Sequence, residues 1–382
     1  MEKILVIQTA SIGDVILASS LLEKLHHKFP SSQIDLMIKD GNQALFYGHP
    51  FINNLWIWNK KDKKYLRLWD LCDRIRKEKY DVVFCIQRFF SSGLVTLYSG
   101  AKKRIGFKKN PLSIFFTHRV EHKIEEGVHE VDRNISLLEG YWCKTAPRPT
   151  LYPTKEDYAK TSIYKQGNYY TLSPASLWPT KTLEKEKWIE LTNHLPEDSP
   201  LYLLGSPQDE TLCQYIKLHT KHTNTFNLSG KLTLLQSAAL MRDAKMNFTN
   251  DSAPLHLCTS VNAPVTAVFC STSTSFGFTP LSDDSLVVEV QPQPKCKPCG
   301  LHGAKKCKNN TFQCSKNIDR REVKMAQKQE YGASQIEVLE GNMVFWAALI
   351  MGVIGFVFFI LMIRNITIRG NEYAQLNNEG GE

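Results

Sequence analysis

Apolar residues in this chain fall into two alternating rhythms. Short unbroken runs such as Lys3-Ile-Leu-Val-Ile-Gln8 and Asp81-Val-Val-Phe-Cys-Ile-Gln87 suit strands buried on both faces of a parallel sheet. Longer segments, Asp14–Leu25 and Leu66–Lys79, carry apolar residues at helical intervals; in the second they fall at Leu68, Leu71, Cys72 and Ile75. Ile34–Ile38, Leu55–Trp58 and Arg104–Phe107 read as further strands, and Ser92–Tyr98 and Glu130–Trp142 as helices. Pro147-Arg-Pro149 and Pro153 mark a linker, after which the theme restarts. Strands are expected at Tyr169–Leu172, Leu201–Leu204, Lys245–Thr249 and Pro264–Phe269, with helices at Glu184–His194, Asp209–Leu218, Thr233–Arg242 and Leu255–Val261. The alternation predicts an α/β protein of two facing, doubly wound Rossmann-like domains, residues 1–148 and 149–320. Ligands in such sheets bind at the carboxyl ends of the strands, so the cleft between the domains is the expected site.

The end of the chain breaks the rhythm. After an expected linker at 321–342, Met343–Ile363 runs without a charged residue. At about 1.5 Å per residue it suffices to cross a hydrocarbon layer of ~30 Å, which predicts a transmembrane helix followed by a short polar tail, 364–382. Flanking charge does not orient it, because Lys324 and Lys328 on one side balance Arg364 and Arg369 on the other. The chain opens directly into its first strand, with no signal-peptide pattern. A catalytic body on the cytosolic side of the inner membrane is therefore expected.

Net charge is +9, with basic residues gathered at Lys102-Lys-Arg104, Lys108-Lys109 and Lys305-Lys306. That sign fits an anionic ligand or an anionic membrane surface, and no nucleic-acid motif accompanies it. Cys72, Cys85, Cys143, Cys213, Cys258 and Cys270 are scattered singly, as free thiols are in reducing compartments. Cys296, Cys299, Cys307 and Cys314 instead form a cluster that opens with C-x2-C, a candidate structural zinc site. The later spacings do not supply the second C-x2-C pair of a zinc ribbon, so a reduced basic loop is the alternative.

Two strand-to-helix junctions carry the candidate chemistry. In Asn250-Asp-Ser-Ala-Pro-Leu-His256, Asp251 or Ser252 can cap the helix, Pro254 sits in its first turn, and His256 lies one turn in. The amides of such a helix start form a site for phosphate, although a well-capped connection in any layered domain reads the same way. In Thr9-Ala-Ser-Ile-Gly13-Asp14, Gly13 suits a tight turn and Asp14 stands at the helix mouth, as a cap or as a catalytic carboxylate. A single glycine is not the G-x-G-x-x-G dinucleotide fingerprint, which argues against a cofactor-dependent dehydrogenase.

Taken in order, Ile12-Gly13-Asp14, Arg104-Ile-Gly-Phe107, His129 with Arg133, Ser173-Pro-Ala with Trp178 and Lys181, Leu204-Gly205, Leu228-Ser-Gly230 and Asn250–His256 resemble glycosyltransferase family 9. This is the lipopolysaccharide heptosyltransferase group of the GT-B fold. The resemblance covers about residues 1–320 and includes a cysteine-rich segment near its end; the apolar run at 343–363 has no counterpart in it. Ala253 stands where the family often has glycine, and Leu183 where an aromatic often follows the lysine.

The resemblance implies an inverting, metal-independent transfer of heptose or a related sugar from an ADP-heptose-like nucleotide-diphosphate donor to a lipid-linked glycan. It makes Asp14 the general base. It assigns Lys181, Asp251, Ser252, Ala253 and His256 to the donor diphosphate and Gly205, Ser206 and Asp209 to the nucleoside. Gly13, Lys102, Lys103, Arg104 and Arg133 are expected on the acceptor side. No cofactor is required by this chemistry. Two other functions share the fold: a nucleotide-sugar epimerase or hydrolase, and a membrane-tethered protein that binds a sugar nucleotide without turnover.

Overall fold

The computed structural model describes residues 2–138 and 146–318. The first strands are β1 (Lys3–Ile7), β2 (Gln33–Lys39), β3 (Ile52–Trp58), β4 (Val82–Cys85), β5 (Lys103–Phe107) and β6 (His118–Val120). All pair in parallel in the order β3-β2-β1-β4-β5-β6. A second parallel sheet contains β7 (Tyr170–Ser173), β8 (Leu201–Leu203), β9 (Thr225–Asn227), β10 (Met246–Asn250), β11 (Val265–Phe269) and β12 (Ser285–Glu289). Its order, β12-β11-β10-β7-β8-β9, is the same winding repeated. Both sheets belong to one compact unit.

Central strands such as β1 and β10 are buried on both faces: β1 is continuously apolar beyond Lys3, and the buried Asn247 and Asn250 of β10 are hydrogen-bonded. Each sheet is covered by helices on both sides. In the first lobe α1 (Ile12–Lys28) and α4 (Glu130–Ile135) lie on one face, while α2 (Lys64–Lys77) and α3 (Phe90–Tyr98) lie on the other. The second lobe uses α5 (Lys155–Thr161), α6 (Lys185–Thr192), α7 (Glu210–His219), α8 (Leu234–Arg242) and α9 (Ala253–Ser260), with α10 (Gln313–Lys316) last.

Some expectations change. The helix expected over Glu130–Trp142 is α4 only to Ile135, followed by a 3-10 turn at Ser136–Leu138; its remainder lies outside the described residues. Strands β6, β9 and β12 and helix α5 were not anticipated. β6 and β9 are three residues long, too short to show a period, and α5 is announced by the Thr154–Asp157 capping box. The run Met343–Ile363 also lies outside the described residues. Among the described residues, no helix is long and apolar enough to cross a membrane.

The lobes share one apolar cluster, which runs from Ile4, Val15 and Leu21 through Leu151 to Leu235, Leu255 and Phe269. A polar seam lies beside it. Glu130 N donates to Gly277 O at 2.8 Å, and Arg133 Nη2 donates to Phe276 O at 2.7 Å. His129 Nδ1 accepts from Val131 N, so the proton sits on Nε2, which donates to Thr279 O at 3.0 Å. Burial lowers the His129 pKa, in keeping with this neutral tautomer. Gly277 has φ +75°, and a Cβ there would lie 2.1 Å from Val128 O. Only glycine fits both the left-handed backbone and the approach.

The linker lies along α1. Thr150 N donates to Ser19 Oγ (2.9 Å), and Tyr152 OH donates to Glu23 Oε1 (2.9 Å). Tyr152 also meets the edge of His49, which packs against Phe51, itself stacked on His26. Neither His49 nitrogen has a hydrogen-bond partner among the described residues. Burial, with His26 adding, drives its pKa down to about 4.

Gly277→Ala is expected to lower the unfolding free energy by about 1–3 kcal/mol, because the seam must open to admit the methyl group; urea titration measures it. His49 sets a pH dependence. Its folded pKa lies below the unfolded 6.5, so its contribution is complete above pH 6.5 and lost as pH falls toward about 4. His49→Phe should flatten that slope without destabilising the protein at pH 7, which unfolding across the same pH range will check.

Candidate active site

In each sheet the strand order reverses beside the first strand of its lobe, and that switch opens a crevice at the carboxyl edge. In the first lobe the crevice lies between the turns after β1 and β4, occupied by Ala10–Asp14 and Gln87-Arg88. In the second it lies between the turns after β7 and β10, which carry Lys181 and Asp251–His256. The winding alone therefore brings the two singled-out junctions to the ligand-binding edges of their sheets.

Asp14 is not the N-cap of α1. Ser11 holds that position, and Asp14 Oδ2, one turn in, accepts from Ser11 N at 3.2 Å and from the Ser11 hydroxyl. This capping box fixes the carboxylate at the mouth of the helix. The turn ahead of it is tied down by residues that the sequence did not single out. Lys60 Nζ donates to Thr9 O (2.7 Å), Asn42 Nδ2 to Ala10 O (3.2 Å) and Thr9 Oγ1 to Gln87 Oε1 (2.7 Å). Burial, with Lys39 and Lys64 adding, lowers the Lys60 pKa to about 8. Lys60 and Gln87 each follow the carboxyl end of a strand, and that position was the available signal.

Gly13 is small because of its neighbour across the lobes, not because of a turn. A Cβ on Gly13 would lie 2.8 Å from Cδ2 of His256, so the ring rests on the backbone beside Asp14. His256 is buried, and its Nδ1 has no partner among the described residues. Burial is the main cause that drives its pKa to about 4; Asp251 opposes this, while His129 and Lys181 add to it. The imidazole is therefore neutral at pH 7.

Lys181 Nζ reaches Asp251 Oδ2 at 2.7 Å, with side-chain exposures of 13% and 5%. The same oxygen accepts from Thr272 Oγ1 at 2.6 Å. Asp251 thus holds Lys181 instead of capping α9. Ser252 occupies the N-cap position, but no side chain caps this helix, and the Ser252 hydroxyl leans toward Ala175 O (3.5 Å) and Asn250 O (3.4 Å). The first-turn amides from Ala253 onward keep the helix's partial positive charge. Asn250 anchors the lysine loop, accepting from Leu183 N (2.9 Å) and donating to Pro174 O (2.7 Å). Leu183 is buried in the apolar core of the second lobe, which explains an aliphatic residue there.

Gly205, Ser206 and Asp209 lie at the same carboxyl edge, after β8. Asp209 Oδ2 accepts from Ser206 N (2.8 Å) and Ser206 Oγ (2.7 Å), and Gly205 leaves room for the Asp209 Cβ. The basic run is placed differently. Val82 pairs with both Ile4 and Lys103, so Lys102, Lys103 and Arg104 stand level with the start of β1, about 10 Å short of its carboxyl end. Lys102 pairs there with Asp81, and Arg104 donates to Ala101 O and Phe115 O. Arg133 is buried at the seam, its guanidinium shared among Glu130, Val128 O and Phe276 O. Three of these four residues thus stand at the amino edge of the sheet, away from the Asp14 turn, and the fourth joins the lobes.

The four clustered cysteines stay within electrostatic reach of one another: Cys296 and Cys307 add to the rise of the Cys299 pKa that burial causes, and all three act on Cys314. Burial raises the Cys314 pKa to about 11, while amide donors, led by Phe312 N, lower that of Cys307. Among the described residues no group of three or more His, Cys, Asp or Glu side chains is gathered as a metal ion requires. What the segment does is pack on the lysine loop. Thr180 Oγ1 accepts from Ala304 N (2.8 Å) and Ser271 Oγ (2.9 Å), and Gly303 lies against Lys181 Cγ.

The family model for glycosyltransferase family 9 (heptosyltransferase) matches residues 68–308. Lipopolysaccharide heptosyltransferase 2 of Escherichia coli K12 is 26% identical over 310 residues, covering 75% of this chain and 88% of that protein. The solved E. coli ADP-heptose lipopolysaccharide heptosyltransferase II superposes with a TM-score of 0.69 at 22% identity, over 86% of this chain and 99% of that one. A family 9 glycosyltransferase from Veillonella parvula superposes with a TM-score of 0.68 at 20% identity, over 75% and 85%. With its sheets wound alike and the family match spanning more than half its length, the chain belongs to glycosyltransferase family 9 and is a glycosyltransferase.

Proposed function

We propose that this enzyme transfers heptose, or a closely related sugar, from a nucleoside-diphosphate donor to a lipid-linked glycan with inversion at the anomeric carbon. The observation that carries the reading is the contact of Gly13 with His256, which sets the Asp14 turn of one lobe against the Lys181–Asp251–His256 group of the other. The names of the E. coli relatives support ADP-heptose as the donor and lipopolysaccharide as the acceptor.

The acceptor hydroxyl oxygen attacks the anomeric carbon while the bond from that carbon to the β-phosphate oxygen breaks. The electron pair leaves with the nucleoside diphosphate, and Asp14 takes the hydroxyl proton. Both capping bonds fall on Oδ2, so Oδ1 is the oxygen assigned to the proton. Lys181 and the first-turn amides of α9 meet the charge that develops on the diphosphate. Asp251 serves as the positioning residue for Lys181. Neutral His256 adds no charge; it closes the lobe contact and offers its unpartnered Nδ1. The leaving group's charge is thus met by protein groups in place of a divalent cation. The charge-free run Met343–Ile363 supplies the tether that keeps the body at the cytosolic face of the inner membrane, where the acceptor lies.

Incubating the full chain with a panel of nucleotide sugars and membrane glycolipid, followed by mass spectrometry, identifies donor and product. Asp14→Asn should cut transfer by about 10²–10⁴-fold while leaving donor affinity within about threefold; transfer at the normal rate removes Asp14 as the base. Lys181→Met leaves Asp251 buried without its cation and should destabilise the protein by about 3–5 kcal/mol. Adding Asp251→Asn should recover most of that stability but not transfer. A double variant that transfers normally assigns the diphosphate charge elsewhere.

A further inference from the structure

We propose that the outer face of the first lobe, built from the first turns of α2 and α3 and the loop 110–116, docks on an anionic lipid bilayer. Helices α2 and α3 pack side by side on one face of the first sheet, and Trp69 meets the edge of Tyr98 between them. The loop 110–116 runs beside α3: Asn110 Nδ2 donates to Phe89 O at 3.0 Å, and Gly93 leaves room for Leu112. These three pieces form one surface.

That surface carries large apolar side chains pointing into solvent. Tyr65 and Leu66 are each 68% exposed, Phe89 63% and Phe90 58%. Ile114 and Phe115, in the adjoining loop, are 67% and 55% exposed, and Trp69 stands beside them at 47%. Seven of the thirteen exposed large hydrophobic residues among the described ones therefore lie on a single face. Leu68, Leu71, Cys72 and Ile75 of α2 already satisfy the core, so burial within the lobe does not explain its second apolar stripe.

Charge selects the occupant. Between Lys60 and Lys77 there are eight lysines and arginines against three aspartates. From Lys102 to Arg119 there are six and no acidic residue. Aromatic and aliphatic tips interleaved with lysine stems suit the headgroup region of an anionic membrane, where rings enter the acyl boundary and ammonium groups meet phosphates. A second copy of this chain is a poorer match, because lysine is depleted at protein interfaces and each copy would present the same positive field.

Helices α2 and α3 both begin at the carboxyl edge of the sheet, the edge that carries Asp14. Docking would bring that opening to the plane of a lipid-linked acceptor, a consequence that rests on the proposed function, whereas lipid contact itself does not. The first-turn amides of both helices lack intrahelical acceptors and exchange quickly unless covered. The test is hydrogen exchange on the full chain in phosphatidylglycerol nanodiscs, phosphatidylcholine nanodiscs and detergent micelles. Peptides spanning 61–70 and 87–93 should exchange roughly tenfold more slowly in the phosphatidylglycerol discs alone, and raised salt should reverse this. Two separate variants, Phe89→Ser with Phe90→Ser and Lys61→Glu with Lys109→Glu, should each restore fast exchange with an unchanged melting temperature. Equal exchange in all three settings, equal protection in both lipids, or protection in micelles that grows with protein concentration would each overturn the proposal. None of these readouts requires turnover, so a failed donor assignment leaves them intact.

Discussion

The approach of the His256 ring to the Gly13 backbone is the constraint around which the rest of the site is arranged. Any side chain at position 13 would push α1 and α9 apart, since its Cβ would already sit 2.8 Å from the ring. Position 13 lies in the first turn of the helix that holds Asp14, and position 256 lies one turn into the helix that follows Asp251. Bringing these two backbones together therefore sets the Asp14 turn of one lobe against the Lys181–Asp251 pair of the other. The apolar cluster beneath supplies the driving force, because residues from both lobes are removed from water together.

Charge inside the joined site is kept in balance before any ligand enters. Lys181 and Asp251 neutralise each other at low exposure, which avoids an uncompensated buried ion. His256 stays neutral for the same reason: protonation would add a third charge beside Lys181 in a region from which water is excluded. On the proposed reading, a diphosphate then meets one cation already held in place and a helix start that no side chain caps. Its negative charge has somewhere to go without the protein first carrying a net positive charge in its interior.

The fold was legible because most central parallel strands are runs of apolar residues, so β1, β4 and β11 stood out at nearly their true bounds, while β7 and β10 mix buried Thr, Ser and Asn with apolar residues and were marked by the turns that follow them. Both strand-to-helix junctions were legible for a related reason: the polar turn interrupts two apolar runs. What the sequence could not show was direction. Asp251 and Ser252 are equally good caps on paper, yet the nearby lysine draws the aspartate away, and that lysine is seventy residues distant in the chain. Likewise Lys102–Arg104 read as a ligand patch, and only strand register places it at the edge opposite the one that carries Asp14. Lys60 and Asn42 stayed hidden because their partners are backbone carbonyls of Thr9 and Ala10, which leave no mark in a sequence. Arg133 was expected on the acceptor side, and its guanidinium is engaged at the seam between the lobes.

The cysteine-bearing segment shows how such a site holds a flexible cation still. A lysine side chain in solution samples many rotamers, and ordering it is costly in entropy. Here Gly303 flanks its Cγ, Asp251 receives its Nζ, and the backbone beneath is fixed through Thr180, whose hydroxyl joins Ala304 to Ser271. Cys299 N donates to Ser271 O at 2.7 Å, and Ser315 Oγ accepts from Glu184 N at 2.9 Å, so the brace holds the lysine loop from both sides. The ordering cost is met during folding, and the donor does not meet it again on binding. The segment therefore holds the Lys181 loop through backbone and hydroxyl contacts.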